Sequence, residues 1–240
     1  MNTLLAFDTA TERMSIAVAV GERQWSHEAD GGALASANLI PAIRGLLARA
    51  GIRLAQVDAI AFGRGPGAFT GLRTACAVAQ GLAFGAGKPV LPVETLWAVA
   101  EDARAGRVPL RVWSVMDARM GEIYAAEYAF SAGRWRTLRP AMLVSPQALN
   151  EMWAREAPEV VAGNALSMFG DRLQLGDAQP VPRAMPSAVA MLPLARQLAL
   201  EGGAVDAQIA LPIYLRDKVA QTSAERAAGH AQLTGLDRAT

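Results

Sequence analysis

Scarcity is the first informative property of this sequence. Its 240 residues include one cysteine, Cys76, so no internal disulfide can form and a reducing compartment is expected. The two histidines, His27 and His230, are too distant in sequence to make a local metal pair, and no HxxxH, HExxH or CxxC spacing exists. A catalytic zinc or iron site is therefore not expected, and no G-x-S-x-G elbow marks a serine hydrolase. Lysine is confined to Lys88 and Lys218, and aromatic residues make up 6% of the chain. No window approaches the ~18 uninterrupted apolar residues of a membrane span. The start, Met1-Asn2-Thr3-Leu4-Leu5, lacks a basic stretch and runs straight into a patterned strand, so no signal peptide is expected. These absences point to a soluble, cytoplasmic protein without a membrane partner.

What remains is enough for a substantial core: 52% of residues are hydrophobic and 19% charged, with a formal net charge of +1. That balance does not demand a nucleic-acid-gripping face. The seven arginines between Arg104 and Arg139 are read as solvent-facing side chains rather than an RNA patch.

Along the chain, strands are expected at 4–9, 15–20 and 24–28, with a polar turn at Thr9-Ala10-Thr11-Glu12-Arg13. Leu39, Ile40, Ile43, Leu46, Leu47 and Ala50 recur at helical spacing and predict a helix over 34–50, stopped by Gly51. A buried strand at 57–62, a helix over 69–86, a strand at 89–93 and a helix over 95–105 follow. Gly106-Arg107-Val108-Pro109 reads as a hinge, after which the pattern resets. Strands are expected at 110–116, 123–130 and 135–144, a helix over 146–155, a strand at 160–162 and a closing helix over 187–200. Two successive βββα stretches predict an α/β, duplicated fold with mixed sheets: a first unit at 1–106, a second at 107–218 and a frayed tail at 219–240.

Three segments carry chemistry or its remnant. Asp8-Thr9-Ala10-Thr11 occupies a strand-to-strand turn, where a glycine-bearing hairpin could wrap phosphates; Ala10 stands at the glycine position. A turn held by Asx and hydroxyl bonds is favoured over residual nucleotide contact by Asp8, Thr9 and Thr11. Gly65-Pro66-Gly67-Ala68-Phe69-Thr70-Gly71-Leu72-Arg73 joins a buried strand to a helix, with Thr70 a plausible N-cap; it is not a Walker loop. Asp117-Ala118-Arg119-Met120-Gly121-Glu122-Ile123-Tyr124 is read as a salt-bridged turn. The helix over 69–86 is apolar nearly all round, its polar side chains from Leu72 onward being Arg73, Thr74 and Gln80. Such a helix must be covered on more than one side, by its neighbour or by another subunit. Cys76 lies within it and is read as core rather than nucleophile.

In order and spacing these three segments, with Pro212-Ile213-Tyr214-Leu215-Arg216, resemble the TsaB (YeaZ) family over roughly residues 1 to 218. Ala68 stands where that family more often has serine. The resemblance implies an actin-like, ribonuclease H-like duplicated fold. It also implies a non-catalytic scaffold role in making threonylcarbamoyladenosine at position 37 of tRNA. In that family a TsaD-like catalytic paralogue moves threonylcarbamoyl from threonylcarbamoyl-AMP to N6 of the adenosine, and a TsaE-like ATPase is the third member. On this reading tRNA is met only through the complex. No cofactor is expected in the isolated chain, with ATP or ADP admitted only in the complex. A partner interface is expected on the helices 34–50 and 69–86, with Leu39, Ile43, Leu46, Leu72, Cys76 and Ala79 as candidate anchors. Whether the lone chain is a monomer or a homodimer stays open. An M22-type glycoprotease-like peptidase and an ATP-dependent sugar-kinase-like enzyme rank lower, for want of a nucleophile–base pair and of the hairpin glycine.

Overall fold

The computed structural model describes residues 1–108 and 110–216; Pro109 of the expected hinge and the tail expected at 219–240 lie outside the described residues. Strands β1 (Thr3–Asp8), β2 (Arg13–Val20) and β3 (Arg23–Asp30) lead into α1 (Ala35–Ala50), β4 (Ala59–Gly63), α2 (Phe69–Ala86), β5 (Val90–Val93) and α3 (Thr95–Arg104). The pattern then repeats as β6 (Leu110–Asp117), β7 (Ile123–Ser131), β8 (Arg134–Val144), α4 (Pro146–Arg155), β9 (Val160–Ala162), α5 (Ala165–Phe169), β10 (Gln179–Val181) and α6 (Ala188–Leu200). One sheet has the order β3-β2-β1-β4-β5; the other, read from its far edge, has β8-β7-β6-β9-β10. β1 pairs antiparallel with β2 and parallel with β4, and β6 does the same with β7 and β9. This is a duplicated actin-like, ribonuclease H-like fold.

Side-chain size, alternating with the two-residue period of a strand, decides what packs on each face of the first sheet. One face presents Leu5, Phe7, Ile16, Val18, Ile60 and Phe62 beneath α1 and α2. The other is alanine-rich, with Ala6, Ala17, Ala19, Ala59 and Ala61, and small side chains let a helix lie close to the strands.

The helix on that alanine face is α6, which contacts β1, β2, β4 and β5. The sequence suggested that this helix closes the second unit; instead it closes the first. Reciprocally, α3 contacts β6, β7 and β9 of the second sheet, and α3 and α6 pack on each other. One continuous core therefore joins the two sheets through this helix pair, from Leu4 and Val93 through Leu96, Val99, Met191 and Leu194 to Val112 and Tyr128. The reason is visible in composition. α6 buries Ala188, Ala190, Met191, Leu192, Leu194 and Ala195, too wide an apolar arc for one contact face. Two further elements differ from expectation: α5 and β10 were not legible as separate elements. Both are short, and β10 carries Pro180, which sits at a sheet edge where its missing N–H is harmless.

Candidate functional site

The hairpin between β1 and β2 is built by backbone bonds and close glycine contacts. Asp8 Oδ1 accepts the Ala10 N–H at 2.7 Å, and Thr11 Oγ1 accepts the Arg13 N–H at 3.2 Å, giving the Asx- and hydroxyl-held turn. Thr9 Oγ1 donates to the Gly71 carbonyl at 2.7 Å, and the Ala68 N–H donates to the Ala10 carbonyl at 2.8 Å, fastening the loop 65–71 onto the hairpin. A side chain at Gly71 would collide with the Thr9 carbonyl, and one at Gly63 with the Asp8 carboxylate. Gly71 thus permits backbone-to-backbone approach, and Gly63 leaves room for the Asp8 carboxylate. The residue that caps α2 is Ala68, with no side-chain bond, and Thr70 lies inside the helix. The expected Thr70 cap is corrected: the helix begins at Phe69, its cap lies two residues before Thr70, and the Ala68 carbonyl already accepts the Leu72 N–H at 2.9 Å.

Of the three candidate nucleotide contacts, Asp8 is 1% and Thr9 0% exposed, while Thr11 is half-buried and lines a cleft. Burial pushes the Asp8 carboxyl up to about 7, against the Ala10 N–H and the Thr95 hydroxyl, which pull it down. Thr95 went unnoticed in the sequence. Its Oγ1 reaches Asp8 Oδ2 at 3.4 Å and accepts the Gly65 N–H at 3.1 Å, tying α3 to hairpin and loop at once. Ala10 is not among the residues of positive φ, and its methyl group faces Gly67.

The cleft runs between the two halves and measures about 310 Å³. Thr11, Gly67 and Leu72 form one wall and Met116, Asp117 and Tyr124 the other. The turn after β6 repeats the chemistry of the first hairpin, since Asp117 Oδ1 accepts the Arg119 N–H at 2.9 Å. Asn164, just past β9, accepts the Asp117 N–H at 3.0 Å; only the Gly-Asn turn signal hinted at it. Arg119 bridges across to Glu12 at 2.6 Å, joining the tips of the two hairpins over the cleft. The expected salt-bridged turn is present, with Glu122 paired to Arg216 at 2.6 Å.

Outside the first sheet, α1 and α2 lie side by side. The six anchors proposed from sequence, Leu39, Ile43, Leu46, Leu72, Cys76 and Ala79, are at most 6% exposed and belong to this chain's own core. They are corrected as surface anchors: five of them, at helical spacing, belong to the stripe that packs on the first sheet, and Leu72 lines the cleft. On the outward side Ile40 of α1 is 44% and Phe84 of α2 is 74% exposed, and Ala77 and Gly81 are exposed at helical spacing from Phe84. Neither helix contains an acidic residue, whereas Arg44, Arg49 and Arg73 are all on the exposed side. Cys76 donates its thiol hydrogen to the Ala210 carbonyl at 3.3 Å, and burial pushes that thiol up.

The arginines between 104 and 139 are largely engaged within the chain. Arg111 and Arg139 hold Glu127, which is 1% exposed, at 2.6 and 3.0 Å, and both also reach Glu156. Arg104 pairs with Glu101 at 2.7 Å, and Arg134 with Glu201 at 2.7 Å. Among the described residues no group of three or more histidine, cysteine, aspartate or glutamate side chains is placed to hold a metal ion, and no helix is long and apolar enough to cross a membrane.

Residues 27–224 match the family model described as TsaD: tRNA N6-adenosine threonylcarbamoyltransferase. The chain is 38% identical over 232 residues to the tRNA threonylcarbamoyladenosine biosynthesis protein TsaB of Haemophilus influenzae, covering 90% of this chain and 94% of that protein. It is 35% identical over 233 residues to the protein of the same name from Escherichia coli, covering 90% and 96%. Among solved structures, YeaZ from Pseudomonas aeruginosa superposes with a TM-score of 0.82 at 38% identity, over 90% of this chain and all of that one. With the paired hairpins, the glycine string and the two sheets of identical order, these matches show that the chain belongs to the TsaB family.

Proposed function

We propose that this chain serves threonylcarbamoyladenosine synthesis in tRNA as a non-catalytic, partner-holding subunit, and that a TsaD-like paralogue carries out the transfer from threonylcarbamoyl-AMP. The relatives named as biosynthesis proteins of this pathway support the pathway. The observation that carries the scaffold role is the outward face of α1 and α2. There Ile40 on α1 and Phe84 on α2 stand in solvent, and the exposed Ala77 and Gly81 share helical spacing with Phe84, their small side chains admitting another helix closely. A TsaE-like ATPase joins as the third member, and tRNA is met through the assembly.

The catalytic alternatives find little support in the cleft. A peptidase needs a nucleophile beside a base, and the one thiol is buried against a backbone carbonyl. A kinase needs an open phosphate hairpin. Here Asp8 and Thr9 are sealed by their own bonds, and Ala68 and Gly67 close over Ala10. ATP or ADP is accordingly proposed to act only in the assembled complex.

Co-purification with the TsaD-like protein of the same cell tests the reading. A complex is expected, and the isolated chain should leave tRNA unmodified. Charges placed at Ala77 and Phe84 should abolish the complex while the fold survives by circular dichroism. If several such charges across the outer faces of α1 and α2 change neither partner binding nor self-association, the interface lies elsewhere.

A further inference from the structure

After α6 and a 3-10 turn at Ala207–Ile209, residues 210–216 form neither helix nor strand, yet they are fastened at Ala210, Ile213, Tyr214 and Arg216. The Ala210 carbonyl accepts from Cys76 Sγ at 3.3 Å and from Gln80 Nε2 at 2.9 Å. The Ile213 N–H donates to the Arg64 carbonyl at 2.7 Å. The Tyr214 hydroxyl accepts from Arg73 Nε at 3.2 Å, and its ring lies 5.3 Å from that of Phe69. At the far end Arg216 donates to the Ala118 carbonyl at 3.1 Å and pairs with Glu122 at 2.6 Å. Two of the few polar side chains of α2, Arg73 and Gln80, are thus spent on this strap. Its outer side leaves Ile209, Leu211 and Tyr214 66%, 63% and 43% exposed, next to the outward face of α2.

Resting on the partner reading above, we infer that residues 207–216 extend the α1–α2 docking face and tie its occupancy to the 117–122 turn at the mouth of the cleft. A partner that buries Ile209, Leu211 and Tyr214 fixes the strap along α2. Arg216 lies five residues beyond Leu211, a reach of roughly 17 Å when extended. Fixing one end of so short a tether restricts the other, and Arg216 then holds the turn through the Ala118 carbonyl and Glu122. Arg119, Met120 and Gly121 of that turn all have positive φ, and while Asp117 holds the turn from within by accepting the Arg119 N–H, Arg216 holds Glu122 and the Ala118 carbonyl from the strap. The occupant is a protein with carboxylates around an apolar helix. α1 offers the exposed Arg44 and Arg49, and neither α1 nor α2 carries an acid to meet them.

Hydrogen exchange on the full chain, alone and with the TsaD-like protein, tests this. Protection is expected on α1, α2 and the strap, and also on residues 117–124. Replacing Ile209 and Leu211 together by serine should weaken the complex at least tenfold. Arg216→Ala, and separately Glu122→Gln at the other end of the ion pair, should leave the complex within a few-fold of wild type and remove the protection at 117–124. A complex that forms normally with unchanged exchange at 117–124, or with the double serine variant binding as wild type, overturns the inference and leaves the partner reading standing. Failure of wild-type chains to associate at all overturns both.

Discussion

At the scale of single residues, Asp8 is the most telling. The folded chain keeps its proton up to about pH 7, whereas an unperturbed aspartate releases it near 3.8. Between those values the folded state binds more protons than the unfolded one, so stability falls as pH rises from about 4 to about 7 and levels off above. A shift of this size corresponds to a loss on the order of 4 kcal/mol. Asp8→Asn keeps an acceptor for the Ala10 N–H without the buried charge. Urea titrations should find it more stable than wild type at pH 8 and close to wild type at pH 4; equal gains at both would show that Asp8 does not titrate in this range. Ala10 invites a second test. Isothermal calorimetry should find ATP binding to the isolated chain weaker than micromolar, and Ala10→Gly should not restore it, since the backbone there is not in the glycine-favoured region. The sequence made the hairpin turn legible through its Asp and Thr residues and the missing glycine. The burial of Asp8 was not legible, because it is imposed by Gly63 and Thr95, which come from distant strand and helix ends.

At the scale of elements, α1 and α2 separate two kinds of apolar position that look alike in sequence. Ala79 is fully buried over the first sheet, while Ala77, two residues earlier, faces solvent. A carboxylate at Ala79 has no partner there and should destabilise the fold by several kcal/mol, with loss of the cooperative melting transition. Ala77→Glu should melt within about 0.5 kcal/mol of wild type, since surface substitutions cost little, yet weaken partner binding. Equal melting of both variants would show that the helix is rotated from the orientation described. Helix existence and limits were read closely, because Gly51 and Gly87 stop α1 and α2 in the left-handed conformation. Which stripe faced the sheet was not legible. α2 is alanine- and glycine-rich all round, so periodicity alone could not orient it, and five of the six anchors chosen were those of the inner stripe.

At the scale of the molecule, the exchange of α3 and α6 makes the two sheets one folding unit. Residues 1–106 include the first sheet but not α6, which covers its alanine face. Expressed alone, that fragment should show little native-like circular dichroism and bind a hydrophobic dye. The whole chain should unfold in a single transition seen alike by fluorescence and circular dichroism. A fragment that folds autonomously would show that α6 is dispensable. The doubling of βββα stretches was legible because each repeats the same strand and helix punctuation. The exchange was not, because nothing in local sequence says which sheet a broadly apolar helix will choose. It also carries a consequence for synthesis on the ribosome. The inner face of the first sheet is translated by Val93, but its cover is complete only when Leu200 has emerged. At roughly 5–20 residues per second that delay is on the order of 5–20 seconds, so the nascent half-protein must stay unaggregated with a face of small side chains uncovered. Alanines there, in place of larger apolar groups, make the wait less hazardous.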